Sequence, residues 1–141
     1  MKHSGLTLLC VSVLLLGACV SREQADAKLA KGCEAGISVL LPEDQAIDKI
    51  VGSEYTPATE GAGFRHVTII ATLENDWLEE EYEYQCVFDE NFGLFNSSHT
   101  AAIMKLDTGD GRVFGQAGAR ILGDAQDWIK ITDAVRKAMY E

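Results

Sequence analysis

Beyond the first nineteen residues the chain has two histidines, His66 and His99, and each has the chemistry of a general acid or base. His99 follows Ser97 and Ser98 directly, so a hydrolase would draw its nucleophile from one of those hydroxyls and its base from the ring. Such chemistry also needs an orienting acid and an oxyanion site, which are defined by geometry and not by adjacency. Cys33 and Cys86 are the next reactive pair. No Cys or His stands at the short spacing a zinc site uses, so their simplest chemistry is to bond each other. Asp107-Thr108-Gly109-Asp110-Gly111 has the look of a calcium loop, but Gly118 stands where the twelfth-position glutamate belongs. Gly109, Gly111 and Gly115 miss the dinucleotide-binding spacing by one residue and open no helix. No cofactor is expected. Glu79, Glu81 and Glu83 alternate with tyrosines, so they should project to one side of a strand. That face would either attract a basic partner or simply stay in water, and the solvated face is the plainer expectation.

The elements that must position these residues follow from periodicity. Ser21-Arg22-Glu23-Gln24 fits a capping box, and Ala25, Leu29, Cys33, Ile37, Leu40 and Leu41 recur at three and four. The pattern predicts a helix from Ser21 to Leu41 with Cys33 on its buried stripe. Gly32 and Gly36 weaken that helix or permit close packing on a sheet. Ile47, Ile50 and Val51 do not choose between a helical turn and an irregular strand, and 54–59 reads as extended before and after Pro57. Arg65 to Leu73 alternates, with Val67, Ile69, Ala71 and Leu73 on one face. Glu81 to Asp89 alternates too, with Tyr82, Tyr84, Cys86 and Phe88 on one face and Val87 the exception on the other. Cys33 and Cys86 therefore point into the same core from opposite layers, and a disulfide between them is expected.

Asn91 to His99 reads as a loop whose Phe92, Leu94 and Phe95 should tuck under the core, since large exposed apolar patches are rare. Ala101 to Leu106 is a third strand candidate. Arg112-Val113-Phe114 continues beyond the turn at Asp107–Gly111, and Gly115, Gly118 and Gly123 suggest bends. Thr132 or Asp133 should cap a last helix carrying Val135 and Met139. The expected fold is α+β: an N-terminal helix packed on a small antiparallel sheet of three to five strands, a C-terminal helix and one disulfide.

The compartment is written at the start of the chain. Lys2 gives a basic beginning, Leu6 to Leu16 is an apolar run, and Leu16-Gly17-Ala18-Cys19 ends it with small residues and a cysteine. The run is shorter than the roughly 20 residues a spanning helix needs, and its layout is that of a secretory signal. Leu16-Gly17-Ala18-Cys19 resembles the lipobox of bacterial lipoprotein precursors. That resemblance covers the leader alone. It implies a diacylglyceryl thioether on Cys19, cleavage before Cys19 and acylation of the new amino group. Residues 1–18 would then be a signal peptide and 19–141 a single acidic envelope domain. Val20 after the cysteine, where aspartate would signal retention, implies the periplasmic side of the outer membrane in preference to the inner membrane.

Charge narrows the partners. Of the twelve basic residues only Lys2 belongs to the leader, so the chain from Cys19 onward carries eleven against twenty-two acidic residues, a net −11. Phosphate backbones would be repelled, which argues against nucleic acid. Anionic headgroups would be repelled as well, so the lipid on Cys19 must do the anchoring. The expected function is a small cell-envelope lipoprotein with a non-catalytic binding or assembly-accessory domain, and a protein partner in the envelope is the kind of ligand it would take. The alternative is a periplasmic hydrolase built on His99 with Ser97, Ser98 or a nearby acid.

Overall fold

The computed structural model describes residues 19–74, 77 and 80–141. Helix α1 (Arg22–Ser38) leads into strands β1 (Ile47–Pro57), β2 (Phe64–Leu73), β3 (Tyr82–Phe92), β4 (His99–Asp107), β5 (Val113–Ala117) and β6 (Arg120–Leu122), and helix α2 (Ala125–Tyr140) follows. The strands form one antiparallel sheet in chain order. Both helices pack on one face of it, sharing a core with Val67, Ile69, Ala71, Tyr84, Cys86, Phe88, Leu106 and Phe114. The architecture is the expected α+β with one disulfide, but with six strands in place of three to five. The additional strands are β1 and the β5–β6 hairpin, which runs through Gly115 and turns at Gly118.

Helix α1 starts as its capping box requires. The Gln24 N–H donates to Ser21 Oγ at 3.1 Å, and the Ser21 N–H donates to Gln24 Oε1 at 3.0 Å. Ala25, Leu29, Cys33 and Ile37 are fully buried along one stripe. The helix stops at Ser38, before the expected Leu41, with the Leu40 N–H turned back to the Ile37 carbonyl at 2.9 Å. Helix α2 begins seven residues ahead of Thr132. Asp124, not Thr132 or Asp133, is its cap, and its carboxylate accepts the Gln126 and Asp127 N–H groups at 2.9 and 3.0 Å. The Thr132 hydroxyl instead donates to the Ile129 carbonyl inside the helix. Trp128, Ile131, Val135 and Met139 form the buried stripe, which shows in hindsight that the period begins at Trp128.

The glycines of α1 face α2 more than the sheet. A Cβ at Gly36 would stand 3.1 Å from Val135 Cγ2 and 3.2 Å from Leu106 Cδ1. At Gly32 it would stand 2.7 Å from Met139 Sδ. The missing side chains let the two helices approach, which offsets the propensity cost of about 1 kcal/mol for each glycine.

Bulges explain the segments whose alternation is broken. In β1, Ile47 pairs with Leu73 and Lys49 with Thr72, then Ile50 pairs with Ala71 and Gly52 with Ile70. Asp48 and Val51 are the extra residues, so Ile47 and Ile50 reach the core side although they are three apart. In β4, Ile103 pairs with Phe88 and Lys105 with Val87, leaving Met104 extra. That one residue lets both Ile103 and Leu106 point inward.

The β3–β4 connection departs from expectation. Strand β3 runs on to Phe92 and β4 begins at His99, so six residues join them, with a 3-10 turn at Leu94–Asn96. The Gly93 N–H donates to the Ser98 carbonyl at 2.9 Å and closes the loop tightly. So short a loop cannot fold back under the sheet. Phe92 is half-buried, whereas Leu94 is 79% exposed and Phe95 85% exposed. They do not tuck under the core.

Two outcomes test this packing. The Cys33–Cys86 bond closes a loop of 53 residues and ties the α1 stripe to β3. Replacing both cysteines with alanine should lower unfolding free energy by about 4 kcal/mol on the chain-entropy scale, read from urea denaturation. Gly36→Leu should lower it by about 1–3 kcal/mol, because Val135 and Leu106 must be displaced to admit the side chain.

Candidate functional site

One end of the molecule gathers the start of the described chain, the first turns of α1 and the β3–β4 loop. Cys19 is exposed, and its Sγ lies 3.5 Å from the Phe95 carbonyl oxygen. In the unmodified chain that sulfur is a thiol; in a lipoprotein it would be the thioether. The Val20 N–H donates to the Asn96 carbonyl at 2.8 Å, and Ser21 already caps α1. The first turn of α1 is therefore ordered on the domain, with one residue between Cys19 and the cap and no tether between them. Phe95 and Asn96 both hold positive φ, 55° and 56°. Asparagine tolerates that region, whereas phenylalanine is held there at a cost of about 1–2 kcal/mol.

Beneath this end runs a charge network. Arg22 donates from Nη1 and Nη2 to the two Glu90 oxygens, at 2.7 and 2.8 Å, and also pairs with Asp26 at 2.8 Å. Arg65 donates to both Asp26 oxygens at 3.0 and 2.6 Å. The paired geometry and low exposure of Asp26 and Arg65 make this the strong class of ion pair. His99 Nε2 lies 3.0 Å from Glu90 Oε2, and its ring packs on Phe92 with centroids 4.8 Å apart. Arg22 stacks over the same Phe92 ring at 5.0 Å. Burial pushes the Glu90 carboxyl upward, but the hydrogen bonds and charges of Arg22 and His99 outweigh it and hold it below the ordinary glutamate range. The hydrogen bond to Glu90 in turn raises the Arg22 guanidinium.

The next turn of α1 continues the arrangement. Lys28 Nζ donates to the His99 carbonyl at 3.2 Å and lies 3.9 Å over the Tyr140 ring. Strand β5 pairs with β4 only at Lys105–Asp107, so the start of β4 has an open edge. Tyr140 closes part of it. Its hydroxyl accepts from the Ala101 N–H at 2.7 Å and donates to the Ala101 carbonyl at 3.0 Å.

The residues singled out by sequence fall as follows. Cys33 and Cys86 are bonded. The His99 side chain is 1% exposed, its Nε2 is occupied by Glu90, and its Nδ1 is buried without a hydrogen-bond partner. Neither Ser97 nor Ser98 is bonded to that nitrogen, and both serines are exposed on the loop. His66 pairs with Glu60 at 2.9 Å on the opposite face of the sheet. Glu81 and Glu83 are exposed, and Glu83 borders a shallow polar depression with Gln85, Asp107, Gly109 and Gly111. Glu79 lies outside the described residues. Among the described residues no group of His, Cys, Asp and Glu could hold a metal ion, and no helix is long and apolar enough to cross a membrane.

The Arg22–Glu90–His99 and Asp26–Arg65 contacts are not among the readings the sequence supports. The available signal was Asp26, which sits beside Ala25 on the buried stripe and so requires a cation. Nothing in the spacing names Arg65 as that cation, 39 residues on. No protein-family model matches this chain, and no characterised protein or solved structure matches it.

Because the Glu90 carboxyl is held low, its pairing stabilises the fold above about pH 4.5, the ordinary value, and that contribution is lost as pH falls through the lower folded value. Glu90→Gln should destabilise by about 1–3 kcal/mol at pH 7, discounted for the partly exposed Arg22. The gap between wild type and E90Q in thermal melts should narrow steadily as pH is lowered from 5 to 3.

Proposed function

We propose that this chain is a small lipoprotein of a bacterial cell envelope, anchored through lipid on Cys19, whose domain binds or supports a partner without catalysis. The observation that carries the reading is the placement of Cys19. It ends the lipobox-like leader, it is exposed, and one residue separates it from the cap of α1. A thioether at that exposed sulfur would leave the fold of the described residues in place. Several acyl chains at one cysteine give stable anchoring where one chain is marginal. Val20 fits delivery to the periplasmic side of the outer membrane.

A non-catalytic role is supported by what surrounds the candidate base. A general base must reach a substrate proton directly or through one water. The His99 ring is enclosed by Phe92, Glu90 and the strand that carries it, and it serves to hold the β3–β4 loop against α1. For the hydrolase alternative Glu90 stands where an orienting acid would, but no hydroxyl is bonded to the other ring nitrogen. The exposed Glu81 and Glu83, in a domain of net −11, are the surface with the charge to draw a basic protein partner by long-range attraction.

The test is the chemistry of the mature N-terminus. Expressed in a bacterial host with its leader, the protein should sediment with membranes and yield an N-terminal peptide that begins at acylated Cys19. Cys19→Ala should remain unprocessed and unlipidated. A soluble mature chain beginning elsewhere, with an unmodified Cys19 or none, would sink the proposal.

A further inference from the structure

The exposed Leu94 and Phe95 are the apolar residues that the fold leaves without a partner at the anchored end. Their loop is bonded to the anchor itself, through Cys19 Sγ to the Phe95 carbonyl and the Val20 N–H to the Asn96 carbonyl. Any lipid on Cys19 therefore starts beside the backbone of Phe95. Charge separates this end from the rest. The fourteen residues from Asn91 to Met104 include no Asp, Glu, Lys or Arg, in a domain that otherwise carries twenty-two carboxylates. Cys19, Val20 and Ser21 are uncharged as well; behind them stand Arg22, paired with Glu90, and the exposed Glu23 at the start of α1. The left-handed backbone at Phe95 and Asn96 is held by loop hydrogen bonds while both apolar side chains remain in solvent.

We infer that the Leu94–Phe95 tip is a membrane-interfacial wedge, which seats the domain against the bilayer surface beside its own lipid anchor. This rests on the anchoring reading above and adds to it a fixed orientation. The occupant is the headgroup–acyl boundary of the bilayer. An apolar pair suits it, and the absence of carboxylates from the loop itself limits repulsion by anionic headgroups. The wedge and the acyl chains act as two signals joined at one point, so the tip stays at high effective concentration over the bilayer.

The experiment uses the lipidated full-length product carrying Phe95→Trp and Trp77→Phe. Trp77 lies at the opposite end of the sheet and is almost fully exposed, and the buried Trp128 remains as an internal reference. Mass spectrometry first reads the lipid on Cys19. The protein is then placed in vesicles of phosphatidylethanolamine and phosphatidylglycerol, with and without brominated phosphatidylcholine. A side chain about 5–10 Å into the acyl boundary should show blue-shifted emission and roughly twofold or stronger quenching by brominated lipid. The parent with Phe95 retained should show neither change, since Trp128 is sequestered in the core. If Cys19 is lipidated and the tryptophan at 95 stays red-shifted and unquenched, the wedge is refuted while the anchoring reading stands. Blue-shifted emission without quenching would assign the tip to a protein contact and overturn the wedge equally. A chain with no lipid on Cys19 would remove both readings together.

Discussion

Helix α1 carries no strong amphipathic drive of its own. It has two glycines on its inner side and a buried stripe of small and medium residues. What keeps it on the sheet is attachment at points along that stripe. Near the N-terminus, Asp26 is clamped by Arg65 of β2, while Arg22 grips Glu90 of β3. At the middle, Cys33 is bonded to Cys86 of β3. Between and beyond them Leu29 and Ile37 fill the core. A buried carboxylate such as Asp26 is tolerable only with its cation in place. The position of α1 across β2 and β3 is thus overdetermined, and α2 then settles against the glycine side that α1 presents.

That attachment carries through to the surface. Since Arg22 and Asp26 hold the first turn of α1 down, the residues just before the helix cannot wander, and Val20 bonds the β3–β4 loop. The same Glu90 that receives Arg22 also receives His99, the first residue of β4. One carboxylate therefore joins the start of the helix to both sides of the loop that carries Leu94 and Phe95. Without it the loop would be tied to the helix only through Lys28 on the His99 carbonyl and Val20 on the Asn96 carbonyl. With it, the loop and the residue that bears the proposed lipid move as one body.

The regular parts of this fold were legible in the sequence. The capping box at Ser21, the alternation of β2 and β3 and the pairing of Cys33 with Cys86 all followed from period and polarity, and the structure has them. What failed did so where a local event reset the period. Three extra residues, Asp48, Val51 and Met104, hid β1 and split the inward pattern of β4, and no residue type announces a bulge of this kind. The start of α2 was displaced because Thr132 and Asp133 are good caps in isolation, but their place was already taken by the Trp128 to Met139 stripe. The loop residues were expected inside because burial is the usual fate of Leu and Phe. Whether a loop has the length to return to the core depends on where its flanking strands stop, and that is a tertiary fact. The ion pairs of the candidate site were the least legible of all, since Arg65 and Asp26 are joined by topology alone.

Orientation at a bilayer would also settle the role of the charge. Strand β3 runs from Tyr82 to Phe92, so Glu81 and Glu83 at its start are roughly 30 Å from its loop end at the rise of an extended strand, although Asp89 and the Arg22-paired Glu90 lie near that end. The Debye length at physiological ionic strength is about 8 Å. Glu81 and Glu83, at the far end, would therefore sit well beyond the reach of the headgroup field, while the uncharged loop lies within it. An acidic domain can rest close to an anionic surface only if its charges are distributed in this way. The same distribution would turn the acidic end toward the aqueous space, where a basic partner could be met without competition from the membrane. A net charge of −11 then disfavours flat adhesion of the domain and favours contact through the uncharged stretch from Asn91 to Met104.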